Sequence, residues 1–388
     1  MKDVFISKDI LYIGADDKDL DLFESQYIVP NGMAYNSYLI KDEKIAIMDT
    51  IDERKTDEWI NNLEKALGDS KPDYLIVSHL EPDHAYNIEN IVKKYPEIKI
   101  VGNDKIFTFI SQFFEIPNLE QRKIVVKEGD TLNLGKHTLQ FIMAPMVHWP
   151  EVMMEYEQTE KILFSADAFG KFGTLDTDEE WDCEARRYYF NIVGKYGVQV
   201  QNLLKKVATL DIKTICPLHG PILKENLEHY INKYNIWSAY KPETEGVFIA
   251  CSSIYGHTLE AAKKLEKMLK EKGVKKVALT DLTREDMAEA VEDAFKYDKI
   301  ILASSSYNAG IFPPMETFLN HLKCKNYQNR KIGIIENGTW APSAGKCIKE
   351  TLSQMKNIEI IEPMVTIKSK LNIDSEKQLE NLVTNILK

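Results

Sequence analysis

Two different hydrophobic patterns divide the chain, with the change near residue 245. From Gly246 onward, short apolar runs alternate with longer amphipathic stretches, which predicts strands followed by helices. Such alternation favours right-handed crossovers and a parallel sheet covered by helices on both faces, the α/β class. Five units of this kind predict a doubly wound domain over residues 246–388. The five apolar runs are VFIAC (247–251), KKVALT (275–280), KIILAS (299–304), KIGIIE (331–336) and EIIEPMVTI (359–367).

The first 245 residues contain apolar runs in a different arrangement. Some precede helical stretches, whereas three are separated by short gaps, which is typical of antiparallel sheet. This mixture predicts two packed sheets with helices outside. A helical stretch over 226–240, followed by YKPETEG, places the boundary between domains 1–245 and 246–388. The runs are IAIMD (45–49), YLIVSH (74–79), IKIVG (97–101), TICP (214–217), HTLQFIMAP (137–145), EVMMEYE (151–157) and KILFSAD (161–167).

Composition excludes several classes of protein. Of the 388 residues, 44% are hydrophobic and 28% charged, which is ordinary for a globular protein. The net charge of −11 argues against nucleic acid as the main partner. No run of 18 apolar residues occurs, so we expect no membrane span, and the charged N-terminal stretch argues against export. The five scattered cysteines contain no C-x-x-C and are expected to be reduced thiols in a cytoplasmic protein.

The strongest chemical signal is the segment HLEPDH at residues 79–84, which follows the apolar run DYLIVS. Side chains in a loop at the carboxyl end of a strand can converge on one metal ion. Pro82 restricts Glu81, so we expect the segment to be extended and not to continue as a helix. Other candidate ligands follow other strands. The set is His79, Glu81, Asp83, His84, His148, Asp167 and His219.

Taken singly, each of these residues has an ordinary structural explanation. A histidine after a strand is usually a hydrogen-bonded core residue, and an aspartate before a glycine-containing loop is usually a turn former. Four of the eight histidines of the chain belong to the set, and all its members are expected at strand exits. Their combination therefore favours a metal centre.

The loop after VFIAC suits a phosphate group. Backbone N–H groups at a helix start and small hydroxyls surround phosphate oxygens, and Gly256 permits close backbone approach, although such a loop is also a good helix N-cap. Loops after the third and fourth strands are expected to enclose a flat ring, with Tyr307 or Trp340 against it. The candidate binding residues are Ser252, Ser253, Tyr255, Gly256, His257 and Thr258; Ser304, Ser305, Ser306, Tyr307 and Asn308; and Asn337, Gly338, Thr339 and Trp340.

The metal motif resembles that of the metallo-β-lactamase superfamily, which usually shows H-x-H-x-D-H and holds two zinc ions. Here Glu81 takes the second histidine position, and harder anionic ligands suit iron better than zinc. Followed by a flavodoxin-like domain, the motif resembles the flavodiiron (A-type flavoprotein) family over essentially the whole chain. The resemblance implies a metallo-β-lactamase-like αβ/βα sandwich with a non-haem diiron centre, and FMN bound to a flavodoxin-like five-stranded parallel sheet.

The resemblance also assigns roles to individual residues. It implies that Asp167 bridges the two irons. Because Tyr27, Trp149 and Phe169 lie in or next to the metal loops, we expect them beside the centre, with core packing as the alternative for each. Ser305 stands where the family often has proline, and the later loop has fewer glycines, so the ring contacts stay open. In some members the residue that matches His84 points away from the iron. The implied iron ligands are His79, Glu81 and His148 on one ion, and Asp83 and His219, with His84 as a further candidate, on the other.

The activity implied is reduction of O₂ to water or of NO to N₂O in the cytoplasm of an anaerobic cell, with O₂ preferred. Two ferrous ions and an FMN hydroquinone hold the four electrons that O₂ requires, whereas two NO molecules require two. The family also implies a head-to-tail homodimer, or a dimer of dimers, in which the FMN of one subunit lies near the irons of the other. The sequence does not choose between O₂ and NO.

No rubredoxin module follows the flavin domain, so an external electron donor is expected. Residues from Gly246 carry a net charge of +3 against −14 for the rest, which favours docking of an acidic donor such as rubredoxin on the second domain. Coenzyme F420 or a flavin reductase are alternatives. Two alternative interpretations of the whole chain are a zinc hydrolase and a redox module with a vestigial metal site. The candidate docking lysines are Lys263, Lys264, Lys267, Lys323 and Lys325.

Overall fold

The computed structural model describes residues 6–388. Residues 1–5, where the stretch that argued against export begins, lie outside the described residues. By their internal contacts the residues form two compact units. The first contains the chain up to Tyr188 with Val198–Asn235, and the second contains Tyr189–Gly197 with Ile236–Lys388. The domain division at 245/246 stays a prediction, because contacts within the native fold do not test whether each part folds alone.

Short elements build the first unit. Its strands are β1 (Ile10–Tyr12), β2 (Ala15–Asp17), β3 (Leu22–Phe23), β4 (Tyr27–Ile28), β5 (Met33–Tyr35), β6 (Tyr38–Ile40), β7 (Ala46–Met48), β8 (Tyr74–Ile76), β9 (Lys99–Gly102), β10 (Lys123–Val125), β11 (Thr131–Asn133), β12 (Thr138–Met143), β13 (Met153–Glu157), β14 (Ile162–Phe164) and β15 (Thr214–Cys216). The helices are α1 (Thr56–Leu67), α2 (Pro82–Ala85), α3 (Ile88–Lys94), α4 (Asp104–Phe113), α5 (Leu119–Arg122), α6 (Trp181–Tyr188), α7 (Gly197–Val207) and α8 (Leu227–Ser238). Gly197 of α7 and the last three residues of α8 belong to the second unit.

Two sheets form the layers of this unit. One has the order β1-β6-β7-β8-β9-β10 and the other the order β11-β12-β13-β14-β15. Strands β12, β13 and β14 are antiparallel neighbours, which confirms the arrangement predicted from their short spacing. Contacts between the sheets include the rings of Tyr38 and Phe164, with centres 5.4 Å apart, and a hydrogen bond from Ser78 to Glu155. The loops after β8, β14 and β15 carry most of the candidate metal ligands.

Pro82 begins a helix rather than preventing one. Helix α2 has Pro82 at its first position, and the preceding Glu81 is extended, with φ −60° and ψ 138°. A proline is tolerated in the first helical turn because its missing N–H would have no intrahelical partner there. The expectation that this segment would not continue as a helix is therefore wrong. The turn buries Asp83 and His84.

The second unit is a doubly wound sheet. Its elements are β16 (Thr244–Ser252), α9 (His257–Glu271), β17 (Val277–Asp281), α10 (Met287–Lys296), β18 (Tyr297–Tyr307), β19 (Gly310–Ile311), α11 (Pro313–Cys324), β20 (Gln328–Asn337), α12 (Ala344–Leu352), β21 (Lys356–Ile367) and α13 (Ile373–Ile386). The strand order β17-β16-β18-β20-β21 is parallel throughout, and β19 pairs with β18 as a short hairpin. The predicted five-stranded parallel sheet is confirmed.

Apolar faces of the sheet and of α9 and α13 pack together in the second unit. Val247, Ile249 and Ile301 from the strands meet Leu265 and Leu382 from these helices, and all five are fully buried. Across residues 6–388, no helix combines the length and the apolar character needed to cross a bilayer. The cysteines within this range form no disulfide.

Candidate metal centre

Four side chains converge on one point beyond the ends of β8, β12 and β14. Nε2 of His79 lies 3.2 Å from Oε2 of Glu81 and 3.4 Å from Oδ2 of Asp167. Nε2 of His148 lies 2.9 Å from the same Glu81 oxygen and 3.0 Å from the same Asp167 oxygen. One ligand atom from each of the four lies within 4.8 Å of the others. Together these side chains form one half of the candidate centre.

The second half lies against the other oxygen of Asp167. Nε2 of His84 is 3.1 Å from Oδ1 of Asp167 and 3.4 Å from Oδ2 of Asp83. Nε2 of His219 is 3.2 Å from the same Asp83 oxygen and 3.0 Å from Nε2 of His84. Since its two oxygens face different groups, the Asp167 carboxylate is placed to bridge two cations. The structure therefore brings together all seven residues of the predicted metal set.

Buried acceptors orient two of these histidines. Nδ1 of His79 donates to Oε1 of Glu151 at 2.8 Å, and the backbone N–H of Leu80 donates to the same oxygen at 3.0 Å. Nδ1 of His219 donates to the carbonyl of Ala34 at 2.8 Å. Because these acceptors assign the proton to Nδ1, the lone pair of each ring lies on Nε2, which faces the centre.

Crowding of buried groups shifts their pKa values in opposite directions. Burial raises the pKa of the Asp83 carboxyl to about 8. Burial opposes ionisation of Asp167 as well, but His79 and His84 hold its pKa well below the ordinary value. For His148, burial is outweighed by the neighbouring carboxylates of Asp167 and Glu81, which raise its pKa to about 9. Bound cations would supply the positive charge that such a cluster otherwise takes from protons.

The arrangement fits a pair of iron ions. Both carboxylate oxygens of Asp83 and of Asp167 are buried and make no hydrogen bond to the described residues. Ligand atoms around an ion with bonds of about 2.1 Å lie roughly 3.0–3.4 Å apart in octahedral and tetrahedral geometry. The contacts within each half, between 2.9 and 3.4 Å, have this spacing. Three carboxylates with four imidazoles form a hard donor set, which suits iron.

A cavity of about 830 Å³ opens at the carboxyl edge of the sheet in the second unit. This volume is in the range of cofactor pockets. Loops after β16, β18 and β20 form its walls, and Ser343 and Ser369, which the sequence did not single out, also line it. The predicted flavin residues in the lining are Ser253, Tyr255, His257, Thr258, Ser305, Ser306, Tyr307, Asn308, Asn337, Gly338, Thr339 and Trp340.

Three predicted flavin residues are not part of this lining. The side chains of Ser252 and Ser304 are fully buried, and their hydroxyls lie 3.1 Å apart, so they join two strands beneath the loops. Gly256 precedes α9 with φ +94°, a left-handed conformation that favours glycine. Its place in the loop is therefore explained by backbone shape.

Family comparisons match both units. Residues 33–220 match the model of the ODP family beta lactamase, and residues 248–366 match a flavodoxin domain. The rubredoxin oxygen:oxidoreductase of Desulfovibrio gigas superposes with a TM-score of 0.91 at 26% identity, covering 99% of this chain and 98% of that one. The chain belongs to the flavodiiron protein family. It is a flavodiiron oxidoreductase with a metallo-β-lactamase-like domain followed by a flavodoxin-like sheet.

Several relatives of this flavodiiron protein have similar length. An uncharacterized protein of Methanocaldococcus jannaschii is 33% identical, with 90% of this chain and 89% of the relative covered. A nitric oxide reductase of Moorella thermoacetica is 29% identical, with 94% and 93% covered. Cyanobacterial diflavin flavoproteins are longer, and the chain spans 56% of one from Thermosynechococcus vestitus at 30% identity.

The three residues expected beside the diiron-like cluster have different surroundings. The Trp149 ring lies edge-on to His79, with centres 5.2 Å apart. Tyr27 is buried on β4, and its ring centre is 6.0 Å from that of Phe172. Phe169 packs on Tyr234, with ring centres 4.3 Å apart. The Trp149 ring is therefore in direct contact with one of the metal candidates.

Two carboxylates near the centre were missed by sequence reasoning. Glu151 holds His79, as described above. Glu24 lies in the turn between β3 and β4, with φ +49°, and its carboxyl is within hydrogen-bonding reach of Glu81. Partial burial and the charge of Glu81 raise the pKa of Glu24. Strands of two residues are too short to show an alternation of hydrophobic and polar positions, so no sequence signal points to this turn.

Proposed function

We propose that this flavodiiron protein reduces O₂ to water, with two iron ions held by the seven clustered side chains and FMN held in the cavity of the second unit. The observation that carries the proposal is the position of Asp167, whose two oxygens face two separate groups of nitrogen and oxygen ligands. When bound, the irons and FMN would supply the gas-binding site and the four electrons that, with four protons, convert O₂ to two waters.

Each side chain has a part in this proposal. His79, Glu81 and His148 would hold one iron, and Asp83, His84 and His219 the other, with Asp167 between them. Glu151 would fix the ring of His79, because it accepts the Nδ1 proton. Trp149 would exclude water from the face of that ring.

Reduction of NO is the second candidate activity. Two NO, two electrons and two protons give N₂O and water, so the same ligands could serve both gases. The relative from Moorella thermoacetica, a nitric oxide reductase at 29% identity over 94% of the chain, favours this candidate. The similarity to the oxygen:oxidoreductase of Desulfovibrio gigas favours O₂.

For the flavin, we propose that its phosphate binds where the loop after β16 meets the start of α9. Helix N-termini attract anions, and α9 is fifteen residues long. The hydroxyls of Thr258 and Ser305, 2.9 Å apart, and the amide of Asn337 give this corner neutral hydrogen-bonding groups. Trp340, 91% exposed, and Tyr307, 46% exposed, would cover the ring.

We propose an external electron donor of the rubredoxin type, with coenzyme F420 or a flavin reductase as alternatives, and a head-to-tail homodimer or a dimer of such dimers. Among the predicted docking lysines, Lys264 pairs with Glu376, Lys267 pairs with Glu271, and Lys325 donates to the carbonyl of Asn191. Because these three ammonium groups are already engaged, we expect Lys263 and Lys323 to matter more for docking.

The proposal is tested by loading the protein with iron and FMN, reducing it with dithionite, and mixing it anaerobically with O₂ or NO. Rapid flavin reoxidation by O₂ with little peroxide, and slow NO loss, would support oxygen reduction. Sustained NO consumption with N₂O formation would support the second candidate. If neither gas reoxidises the flavin, the diiron proposal is wrong, and zinc without iron in the purified protein would favour a hydrolase.

Two variants test whether iron binding and gas-dependent reoxidation depend on the metal candidates and not on the fold in general. Asp167→Asn keeps the size of the side chain but removes its charge, so we expect loss of iron and of gas-dependent reoxidation. His229→Gln is the control, because His229 pairs with Asp182 at 2.6 Å, away from the seven clustered residues. Equal iron content and equal rates in the two variants would contradict the assignment of Asp167.

A further inference from the structure

Another histidine–carboxylate cluster lies at the opposite end of strand β12 from the metal centre. His137 directly precedes this six-residue strand, whereas His148 lies beyond its far end. At about 3.3 Å per residue, the strand spans roughly 20 Å. Asp9, His137 and Glu160 each bring one potential ligand atom within 4.8 Å of the others. These residues come from the segment before β1, the β11–β12 turn and the β13–β14 turn, so three separate segments meet here.

The ring of His137 is fully buried and aimed into this cluster. Nδ1 lies 3.0 Å from Oε1 of Glu157, whereas Nε2 makes no hydrogen bond to the described residues. Nε2 faces Oδ2 of Asp9 at 3.5 Å and Oε1 of Glu160 at 4.0 Å. A buried polar nitrogen without a partner costs about 1–3 kcal/mol. Since Glu157 accepts the Nδ1 proton, the lone pair on Nε2 is placed to bind a cation.

Glu157 is itself held in a fixed position. Its side chain is fully buried, and its oxygens accept hydrogen bonds from the backbone N–H groups of Thr159 at 2.9 Å and Glu160 at 2.6 Å. The same carboxylate therefore orients the His137 ring and the turn that carries Glu160. Histidines that bind metals commonly donate their other N–H to a carboxylate in this way.

The charges around His137 are unbalanced. Asp9, Glu157 and Glu160 surround the ring, and Oδ2 of Asp42 accepts from the His137 backbone N–H at 2.7 Å. Among the described residues, the cation that faces them is Lys136, whose Nζ lies 2.7 Å from Asp9 and 3.3 Å from Glu160. One ammonium against four carboxylates leaves net negative charge, which favours a divalent cation.

We propose that Asp9, His137 and Glu160 bind a divalent transition-metal ion such as Zn²⁺, and that Lys136 turns out to water when the ion binds. Ligand atoms around a tetrahedral ion with bonds of about 2.1 Å lie roughly 3.4 Å apart. The distances from Nε2 of His137 to the oxygens of Asp9 and Glu160, 3.5 and 4.0 Å, therefore need to shorten only a little. The side chain of Lys136 is half exposed and can leave. Before the ion binds, hydrogen bonding to Lys136 lowers the pKa of Asp9, so this ligand is already ionised when the ion arrives. The bound ion would tie the segment before β1 to two hairpin turns.

The test uses Co²⁺ alone as the probe, added to protein already loaded with iron and FMN. We expect one further Co²⁺ per chain with unchanged iron content, an absorption band of a non-octahedral Co²⁺ site, and a rise in Tm with Co²⁺ concentration. His137→Gln is expected to weaken binding by at least tenfold. Lys136→Met is expected to tighten it, because the competing ammonium is removed. His229→Gln, a histidine outside the cluster, should bind as the unmodified chain does.

Opposite effects of His137→Gln and Lys136→Met on Co²⁺ affinity are expected of a metal site but not of a purely structural cluster. If His137→Gln does not fold, Glu160→Gln takes its place, because the side chain of Glu160 is partly exposed and the change keeps its shape. Absence of a further Co²⁺ at millimolar concentration would overturn the proposal. Equal Co²⁺ affinity in the unmodified chain and the ligand variant that folds would also overturn it, as would weaker binding in Lys136→Met.

Discussion

Replacing Glu151 with glutamine tests whether the metal centre depends on the orientation of His79. Oε1 of Glu151 accepts from Nδ1 of His79 at 2.8 Å and from the backbone N–H of Leu80 at 3.0 Å. Glutamine offers a carbonyl oxygen at the same place, so both hydrogen bonds can be kept. The change removes the negative charge that makes the ring a stronger ligand. Because Oε2 has no hydrogen-bond partner, its replacement by an amide breaks no contact among the described residues.

The expected loss is in iron affinity. Removing a carboxylate partner of a metal-binding histidine typically weakens metal binding by about 10–100-fold, which corresponds to roughly 1.4–2.7 kcal/mol. The iron on the His79 side, with Glu81 and His148, should be affected first. Glu151→Ala should cost more, because it also leaves the Leu80 N–H without its acceptor.

The assay is release of iron from the loaded protein to a ferrous chelator under anaerobic conditions, followed as a function of chelator concentration. Glu120→Gln is the matched control, since it makes the same chemical change on the exposed turn α5. We expect biphasic release in Glu151→Gln, with one iron leaving at lower chelator concentration. Release identical to that of the Glu120 variant would refute the reasoning.

Three further predictions concern the fold and the flavin cavity. Burial raises the pKa of Asp49 to about 6, so this carboxyl takes up a proton on folding, and its contribution to the free energy of unfolding should fall by roughly 2 kcal/mol from pH 4 to pH 7. Urea unfolding at both pH values should show this part in the unmodified chain and not in Asp49→Asn, and an equal pH dependence in the two would contradict it. Gly256→Ala places a Cβ at φ +94°, where it meets nothing within 4 Å, so backbone strain alone should cost about 1 kcal/mol of stability. The same strain should weaken FMN binding, measured by flavin fluorescence. Unchanged FMN affinity and unchanged stability would contradict this prediction. Arg330→Met leaves at least three buried carbonyls without their donor and should cost roughly 3 kcal/mol, seen as a lower Tm of flavin release; an unchanged Tm would count against it.

Sequence patterns predicted the second unit better than the first for a physical reason. Strands of a parallel sheet covered on both faces are apolar along their length, so β16 and β18 appear as continuous runs. Strands β2 to β5 contain two or three residues each and carry no readable period. Their positions depend on contacts with distant segments, as in the pairing of Met33 with Gly173. The turn with Glu24 was therefore not predictable.

The metal candidates were predictable because they follow the ends of strands, which lie close together in the fold. The groups that hydrogen-bond to these candidates were not predictable. Glu151 bonds to His79 across 72 positions of the chain, and no local spacing encodes that contact. The same limit explains Ser252 and Ser304, whose residue type suits a phosphate loop. The strand register places Ser252 beside Ser304, so their hydroxyls bond to each other beneath the cavity.

Three histidines of the first unit share one hydrogen-bonding arrangement, although two belong to the candidate metal centre and one does not. His79, His219 and His137 each use Nδ1 to contact an oxygen acceptor, and each aims Nε2 at carboxylates. An imidazole fixed in this way has lost its rotational freedom and its choice of tautomer before a cation arrives, so binding costs less entropy. His229 points its Nε2 directly at Asp182, 2.6 Å away, and that hydrogen bond satisfies it. His137 therefore shares with His79 and His219 an Nδ1 held by an oxygen acceptor and an Nε2 aimed at carboxylates. Its Nε2 makes no hydrogen bond to the described residues, which distinguishes it from the satisfied Nε2 of His229.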